Sequence, residues 1–205
     1  MNHHMGVTGT AAVELLAAAT DAALRSRRPE AWVCEAIRPA MAALLVDRDP
    51  LPPGARDPYE GGAVGNLVYA DPEARFHILV VVFPEGTSSG IHLHGCWGVI
   101  GYLQGGDEET RYRWRDGRPV EESRHVWHQG DITYLLPDEM AGPDGRAGCW
   151  HRVRNPGPSV GVSVHVLCRL PADHPHVFWD RDEARIVAFP FVERAPGRWQ
   201  AMLGR

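Results

Sequence analysis

The stretch Gly86-Thr-Ser-Ser-Gly-Ile-His-Leu-His-Gly-Cys-Trp-Gly-Val-Ile-Gly-Tyr-Leu-Gln-Gly105 places two histidines, His92 and His94, one residue apart. Residues i and i+2 of a β-strand point to the same face of a sheet, so both imidazoles are able to bind one metal ion. Glycines flank the pair on both sides, which is typical of a short strand between tight turns. The stretch therefore predicts a metal site on a strand of a β-barrel.

A second motif lies downstream, between Gly148 and Asn155. It reads G-x2-H-x3-N and contains His151, with Gly130 and Pro137 near the start of the same region. Together the two stretches resemble the two cupin motifs, of which the first reads G-x5-H-x-H-x3/4-E-x6-G. This resemblance implies that His151 is the third metal ligand.

The first motif departs from the cupin pattern at Gly98, which stands where the motif has a glutamate. Three histidines without a carboxylate, together with H-R-V-x-N around the third ligand, resemble the cysteine dioxygenase group, the thiol dioxygenases. The resemblance covers about residues 60 to 170. It implies a mainly β fold, the cupin double-stranded β-helix (jelly-roll) barrel, with Fe(II) as cofactor. It also implies that both atoms of O2 enter the sulfur of a small thiol and give a sulfinate.

The strand after the third ligand contains Ser163 and His165, which match the S-x-H of the family. The resemblance implies catalytic roles for both residues. Leu167 occupies the place of the family's tyrosine, and a leucine donates neither a proton nor a hydrogen bond. An ordinary core histidine hydrogen-bonded to Ser163 is therefore an equally open interpretation of His165.

The substrate pocket departs from the family at Gly65, which replaces an arginine that binds the substrate carboxylate, and at Ala63, which replaces a tyrosine. A charge-assisted, bidentate arginine contact is hard to replace by backbone groups. We therefore expect free cysteine to be a poor substrate and the pocket to be larger than in the family. The expected substrate-binding residues are Gly65, Ala63, Trp97 and Leu167.

These departures favour a bulky thiol, with ergothioneine first, whose trimethylammonium group an aromatic face would bind. The candidate aromatic residues are Trp97, Tyr69, Trp114, Tyr134 and Trp150, although core packing is the simpler explanation for each one taken alone. A mercapto-carboxylic acid such as 3-mercaptopropionate or mercaptosuccinate is the alternative, and it needs another cation. The candidate cations are Arg75, Arg113, Arg152 and Arg169.

The composition is that of a globular chain of 205 residues with a formal net charge of -5. No basic run is present, which argues against nucleic acid as a partner. No apolar stretch reaches the roughly 18 residues that span a membrane, and no signal peptide is visible, so we expect a cytoplasmic protein. We expect it to be a monomer or a homodimer.

The sequence has four cysteines and no C-x-x-C pair, so we expect all four to be reduced thiols. Cys96 is expected to be a buried strand cysteine rather than a metal ligand.

Periodicity predicts helices over residues 8–47, a Pro- and Gly-rich linker over 48–62, and strands from residue 65 onward. Thr8 or Thr10 is expected to cap the first helix, with Leu15 on its buried face, and Trp32 on the buried face of the second. Residues 1–62 should pack on a barrel formed by residues 63–205, in one compact domain. The predicted strands are 67–69, 76–83, 97–103, 110–114, 132–136 and 160–167, with an edge strand over 186–191.

Two other classes of function remain open at this stage. On the same fold, an isomerase, a lyase or an acireductone-type oxygenase would use another metal. Alternatively, a non-catalytic cupin would bind a small molecule or sense a metal or oxygen. Oxygen uptake by the iron-loaded protein with a panel of thiols distinguishes these possibilities.

Overall fold

The computed structural model describes residues 9–60, 62–136, 149–169, 176–188 and 191–201. Two helices precede the strands. The elements are α1 (Ala11–Arg25), α2 (Glu30–Val46), β1 (Val64–Ala70), β2 (Phe76–Phe83), β3 (His92–His94), β4 (Gly98–Gln104), β5 (Glu108–Arg115), β6 (Arg118–Val126), β7 (Ile132–Leu135), β8 (Cys149–Arg154), β9 (Gly161–Cys168), β10 (His176–Asp180), β11 (Arg185–Ala188), β12 (Phe191–Ala195) and β13 (Arg198–Ala201).

The strands form two antiparallel sheets, a seven-stranded sheet in the order β12-β13-β1-β2-β9-β4-β7 and a six-stranded sheet in the order β11-β10-β3-β8-β5-β6. From β2 to β9 the chain alternates between the sheets, except at the β5–β6 hairpin. The order β2-β9-β4-β7 against β3-β8-β5-β6 is that of a jelly roll. The predicted mainly β, double-stranded β-helix fold with N-terminal helices is therefore confirmed.

The two helices pack together and cover one face of the seven-stranded sheet. The α2 helix lies so close to β4 that a Cβ atom on Gly101 would meet Met41 Sδ at 2.6 Å. The hydroxyl of Thr10 caps α1 by accepting a hydrogen bond from the backbone N–H of Val13 at 3.3 Å. The large apolar core of the molecule lies between these helices and the sheet.

Two residues expected on the buried helix faces are exposed. Leu15 is 68% exposed, because the buried stripe of α1 runs through Leu16 and Ala17 on another side of the helix. Trp32 is 41% exposed and its ring lies 5.5 Å from the guanidinium carbon of Arg28. Both predictions were wrong because these large apolar side chains lie just outside the i, i+3, i+4 stripe that faces the sheet.

The register of β4 and β9 determines which side chains enter the barrel. Gly98 lies opposite Leu167, Ile100 opposite His165, and Tyr102 opposite Ser163. Leu167, Ile100 and Tyr102 belong to an interior apolar cluster, whereas the residues that alternate with them join the core under the helices. The period of two along each strand thus separates a barrel interior from a helix-covered outer face.

The C-terminal part contributes to both sheets rather than adding a single edge strand. The β11 strand is the edge of the six-stranded sheet, and β12 is the edge of the seven-stranded sheet. Residues 189 and 190, within the predicted strand 186–191, lie outside the described residues. No helix in the described parts of the chain combines the length and apolar character that a membrane crossing requires.

The expectation of four reduced cysteines is wrong. Cys96 and Cys168 form a disulfide with a Cα–Cα distance of 6.1 Å, and Cys34 is a buried free cysteine. The two cysteines meet because Cys96 lies two residues before β4 and Cys168 ends β9, the neighbour of β4 in the sheet. The backbone N–H of Cys168 also donates to the carbonyl of Trp97.

Candidate metal centre

Three histidines converge between the two sheets. His92 lies opposite His151 in the pairing of β3 with β8, and His94 lies two residues further along β3 on the same face. The Nε2 atom of His92 is 2.9 Å from Nε2 of His94 and 3.1 Å from Nε2 of His151. All three side chains are buried. The structure thus brings together the three residues predicted as metal ligands, in an arrangement that could hold a metal ion.

The spacing of the three nitrogens fits one face of a coordination octahedron. Metal–imidazole bonds of about 2.1 Å put adjacent nitrogens about 3.0 Å apart at right angles, and about 3.4 Å apart in a tetrahedron. The distances of 2.9 and 3.1 Å match two octahedral edges. The three ring centroids are nearly equidistant, at 4.8, 4.5 and 5.0 Å, as expected for three ligands on one face. A facial arrangement of this kind leaves the opposite side of the ion open to other ligands.

The hydrogen bonds of the outer ring nitrogens also favour a cation between the rings. Nδ1 of His151 lies 2.8 Å from a carboxylate oxygen of Glu109, and Nδ1 of His92 lies 3.3 Å from the carbonyl oxygen of Gly90. Because both partners are acceptors, both Nδ1 atoms carry the proton in the neutral rings. The two Nε2 atoms then face each other with lone pairs, an arrangement that a shared cation stabilises.

Glu109 is a component of this site that sequence reasoning missed. Its second oxygen accepts a hydrogen bond from Trp127 Nε1 at 2.9 Å, and Arg111 Nε lies 3.3 Å from the first. Burial alone would raise the pKa of Glu109, but the hydrogen bond from His151 and the guanidinium charge of Arg111 hold that pKa below its usual range. The sequence does not single out Glu109, because Glu108, Arg113 and Arg115 of the same strand are charged as well.

Ser163 and His165 face the same interior from the opposite sheet. Ser163 Oγ and His165 Nε2 are 2.8 Å apart, so the predicted pair is formed. Burial, and secondarily the nearby rings of His151 and His77, lower the pKa of His165 to about 3. A neutral His165 is able to donate or accept a hydrogen bond towards a ligand in the barrel.

Gly98 and Leu167 are packed against each other on this interior face. A Cβ atom on Gly98 would meet Leu167 Cδ2 at 2.6 Å and Leu135 Cδ1 at 3.2 Å. The leucine therefore occupies the space that a side chain at position 98 needs. The missing glutamate and the missing tyrosine, which the sequence presents as two separate departures from the family, are sterically linked.

The other predicted substrate-binding residues are only partly in place. Gly65 faces the interior, but a Cβ atom there would meet Leu79 Cδ1 at 3.3 Å, so leucine rather than open space adjoins it. Ala63 precedes β1 and is half-buried. Trp97 belongs to the core under the helices, because it alternates with the interior-facing Gly98. Its ring therefore lies on the helix-covered face of the sheet and not in the barrel interior.

The candidate aromatic and cationic residues lie on other faces of the barrel. Tyr69 and Tyr134 pack against the core under the helices, and Trp114 and Trp150 lie in the apolar cluster on the outer face of the six-stranded sheet.

The candidate arginines have other partners or lie at the surface. Arg75 binds Asp71 and Asp21, and Arg113 binds Glu122. Arg152 lies beside Thr110, and Arg169 is exposed. Core packing explains these aromatic residues, and the cation nearest to His151 in the described sheet register is Arg111.

Comparison with solved structures gives weak similarities, several of them to proteins described as cupins or as having a double-stranded beta-helix domain. An rmlc-like cupin family protein with a double-stranded beta-helix fold from Methanocaldococcus jannaschii is 15% identical, with a TM-score of 0.40 over 56% of this chain and 84% of that one. A protein with a double-stranded beta-helix domain from Klebsiella pneumoniae is 16% identical, with a TM-score of 0.42 over 59% and 82%. A recombinant oxalate oxidase in complex with glycolate gives 15%, a TM-score of 0.43, and 61% of both chains.

No protein-family model matches the chain. Gly148 and Pro137, which contribute to the second sequence motif, lie outside the described residues.

Proposed function

We propose that the protein is a mononuclear non-haem iron thiol dioxygenase. The observation that carries the proposal is the facial convergence of three histidine Nε2 atoms, with Leu167 packed against Gly98, where the cupin motif has a glutamate. Three neutral imidazoles suit a borderline divalent ion such as Fe(II). Iron bound there would supply open coordination positions for a thiolate and for dioxygen.

The proposed reaction balances without a further reductant. A thiol R–SH and O2 give the sulfinic acid R–SO2H, so the sulfur loses four electrons and dioxygen gains them, and both oxygen atoms end on sulfur. The apolar residues of the interior, including Leu79, Ile100 and Leu167, exclude water from the reacting groups. The Ser163–His165 pair supplies the polar contact that this interior offers to a substrate.

The arrangement of Arg111 supports a substrate other than free cysteine. Its guanidinium is held by Glu109, by Thr133 Oγ1 at 3.4 Å and by the carbonyl oxygen of Tyr134 at 3.2 Å. An arginine engaged in this way is poorly placed to bind a small amino-acid carboxylate. We propose ergothioneine as the first substrate to test, because its ring nitrogens could hydrogen-bond to His165. 3-Mercaptopropionate or mercaptosuccinate is the alternative, in which Arg111 would exchange Glu109 for the substrate acid.

The test is oxygen consumption by anaerobically iron-loaded protein with ergothioneine, 3-mercaptopropionate, mercaptosuccinate and cysteine, under labelled dioxygen. We expect a product that carries both labelled atoms and a lower catalytic efficiency for cysteine than for the best thiol. Fast turnover of a mercapto acid without any uptake with ergothioneine would replace the first substrate by the alternative. No uptake with any thiol would favour a metal- or ligand-binding protein without this activity, or a cupin enzyme of another class.

The proposed ligands have a direct test of their own. Replacing His92, His94 or His151 by Ala should reduce bound iron severely, because two ligands remain. His128→Ala is the matched control, since this histidine is exposed between β6 and β7 and should leave the metal content unchanged. Stoichiometric metal in all three ligand variants, measured by elemental analysis, would contradict the assignment.

A further inference from the structure

Glu109 has a position that the three-histidine site does not by itself require. The residue is 2% exposed and lies on the face of β5 that points into the barrel, and one of its carboxylate oxygens lies 2.8 Å from His151 Nδ1. A buried carboxylate carries a desolvation penalty of several kcal/mol unless its charge and lone pairs are compensated. Its placement behind a proposed metal ligand therefore calls for a specific explanation.

The carboxylate is compensated by three partners from different parts of the barrel. His151 and Trp127 Nε1 each bind one oxygen, and Arg111 balances the charge at 3.3 Å. Arg111 is in turn held by Thr133 and Tyr134 of β7, in the opposite sheet. The network thus fixes the Glu109 carboxylate from both sheets.

This geometry excludes Glu109 as a direct ligand at the same site. Nδ1 and Nε2 lie on opposite sides of an imidazole ring, and Glu109 contacts the side that faces away from the other two histidines. The site therefore has a carboxylate after all, although it lies behind a histidine instead of beside the ion. A carboxylate on the far nitrogen fixes the tautomer and the ring orientation and makes the other nitrogen a better electron donor.

We propose that Glu109 is a positioning residue that sets the metal affinity of the site through His151. The inference rests on the proposed metal site but not on thiol oxygenation. Outer carboxylates of this kind typically change metal affinity by about 10- to 100-fold when they are removed. Glu109→Ala should show a loss of that size. Glu109→Gln, which retains an acceptor but not the charge, should fall between this variant and the unaltered protein.

The test measures the dissociation constant of Co(II) by competition with a chelator, using the full chain under anaerobic conditions. The visible absorption spectrum of the bound Co(II) is recorded in parallel, because a change in ring orientation alters it, whereas a purely structural role leaves it unchanged. Glu108→Gln is the matched control, since Glu108 is the preceding residue in β5 and pairs with Arg124 at the surface. Circular dichroism confirms that each variant is folded.

The results separate this inference from the metal site itself. The role of Glu109 alone would be overturned by one pair of results. In that case His92→Ala loses the ion, but the folded Glu109 variants bind Co(II) with a dissociation constant within about twofold of that of the unaltered protein. Retention of the ion by His92→Ala would overturn the site and the inference together. Should Glu109→Ala fail to fold, Glu109→Gln decides: weaker binding with an altered spectrum supports the role, and unchanged binding overturns it.

Discussion

Replacing Asp107 by Asn should stabilise the protein in a manner that depends on pH. Asp107 lies just before β5 and is 3% exposed, and its Oδ1 atom has no hydrogen-bond partner among the residues that the structure describes. Burial raises the pKa of this carboxyl from 3.8 to about 7. Near neutral pH the folded protein must therefore either keep a proton that the unfolded chain releases or carry a buried charge.

The sign and the size of the effect follow from the two pKa values. Because the folded state binds the proton more tightly, the free energy of unfolding falls as pH rises from 3.8 towards 7 and is constant above that range. At about 1.4 kcal/mol per pKa unit, the full penalty is on the order of 4 kcal/mol. At pH 5 the penalty is about 1.5 kcal/mol, because this pH lies only a little above the pKa of 3.8 at which the carboxyl of the unfolded chain loses its proton.

The assay is urea unfolding of metal-free protein at several pH values between 5 and 9. The quantity compared is the difference in unfolding free energy between Asp107→Asn and the unaltered protein. Buried histidines such as His77, whose pKa burial lowers to about 4, add a pH dependence of opposite sign. They contribute equally to both proteins and cancel in the difference. The stabilisation by the substitution should grow by about 2–3 kcal/mol from pH 5 to pH 8.

A matched substitution controls for the change from acid to amide. Asp116 lies exposed in the turn between β5 and β6, so Asp116→Asn should stay within about 0.5 kcal/mol of the unaltered protein throughout. A difference for Asp107→Asn that is flat between pH 5 and pH 8, or that shrinks with rising pH, would refute the reasoning. It would mean that the carboxyl has a partner or contact with water that compensates its charge.

Three further predictions concern stability. The Cys96–Cys168 disulfide joins residues 72 apart, so replacing both by Ala should lower the unfolding free energy by about 4 kcal/mol in urea titrations, and a loss below about 1 kcal/mol would contradict this. Gly98→Ala should cost about 1–3 kcal/mol in the unaltered protein but clearly less in a Leu167→Ala background, and additive costs would show that the two positions are not coupled. Thr10→Ala should lower the thermal midpoint by removing about 1 kcal/mol of helix capping, whereas an unchanged midpoint would count against the cap.

The features that the sequence predicts well depend on short-range periodicity. The predicted strand 76–83 coincides with β2, because a run of apolar, mostly β-branched residues between turn residues has few other conformations. His92 and His94 share a face because the side-chain period of a strand is two. The barrel topology follows from many such strands together with the two motif stretches.

The features that the sequence did not predict depend on contacts between distant segments. The polar strand β6 has side chains that are mostly exposed, so it lacks the apolar alternation that marks a buried strand. The disulfide forms because β4 and β9 are neighbours in the sheet. This pairing is not evident from the sequence, in which the two cysteines are 72 residues apart. Glu109 meets His151 only through the register of β5 with β8, and no spacing along the chain encodes that register.

The packing of Leu167 against Gly98 leaves no room for a side chain at position 98. Gly98→Glu alone would force its side chain against Leu167 and Leu135, so a single substitution cannot restore a carboxylate to the ligand set without moving the interior core. Leu167→Ala together with Gly98→Glu would remove the nearest obstacle, although Leu135 still adjoins the site. The shape of the barrel interior therefore depends on both residues together, because the space that glycine leaves at position 98 is filled by the side chain of Leu167.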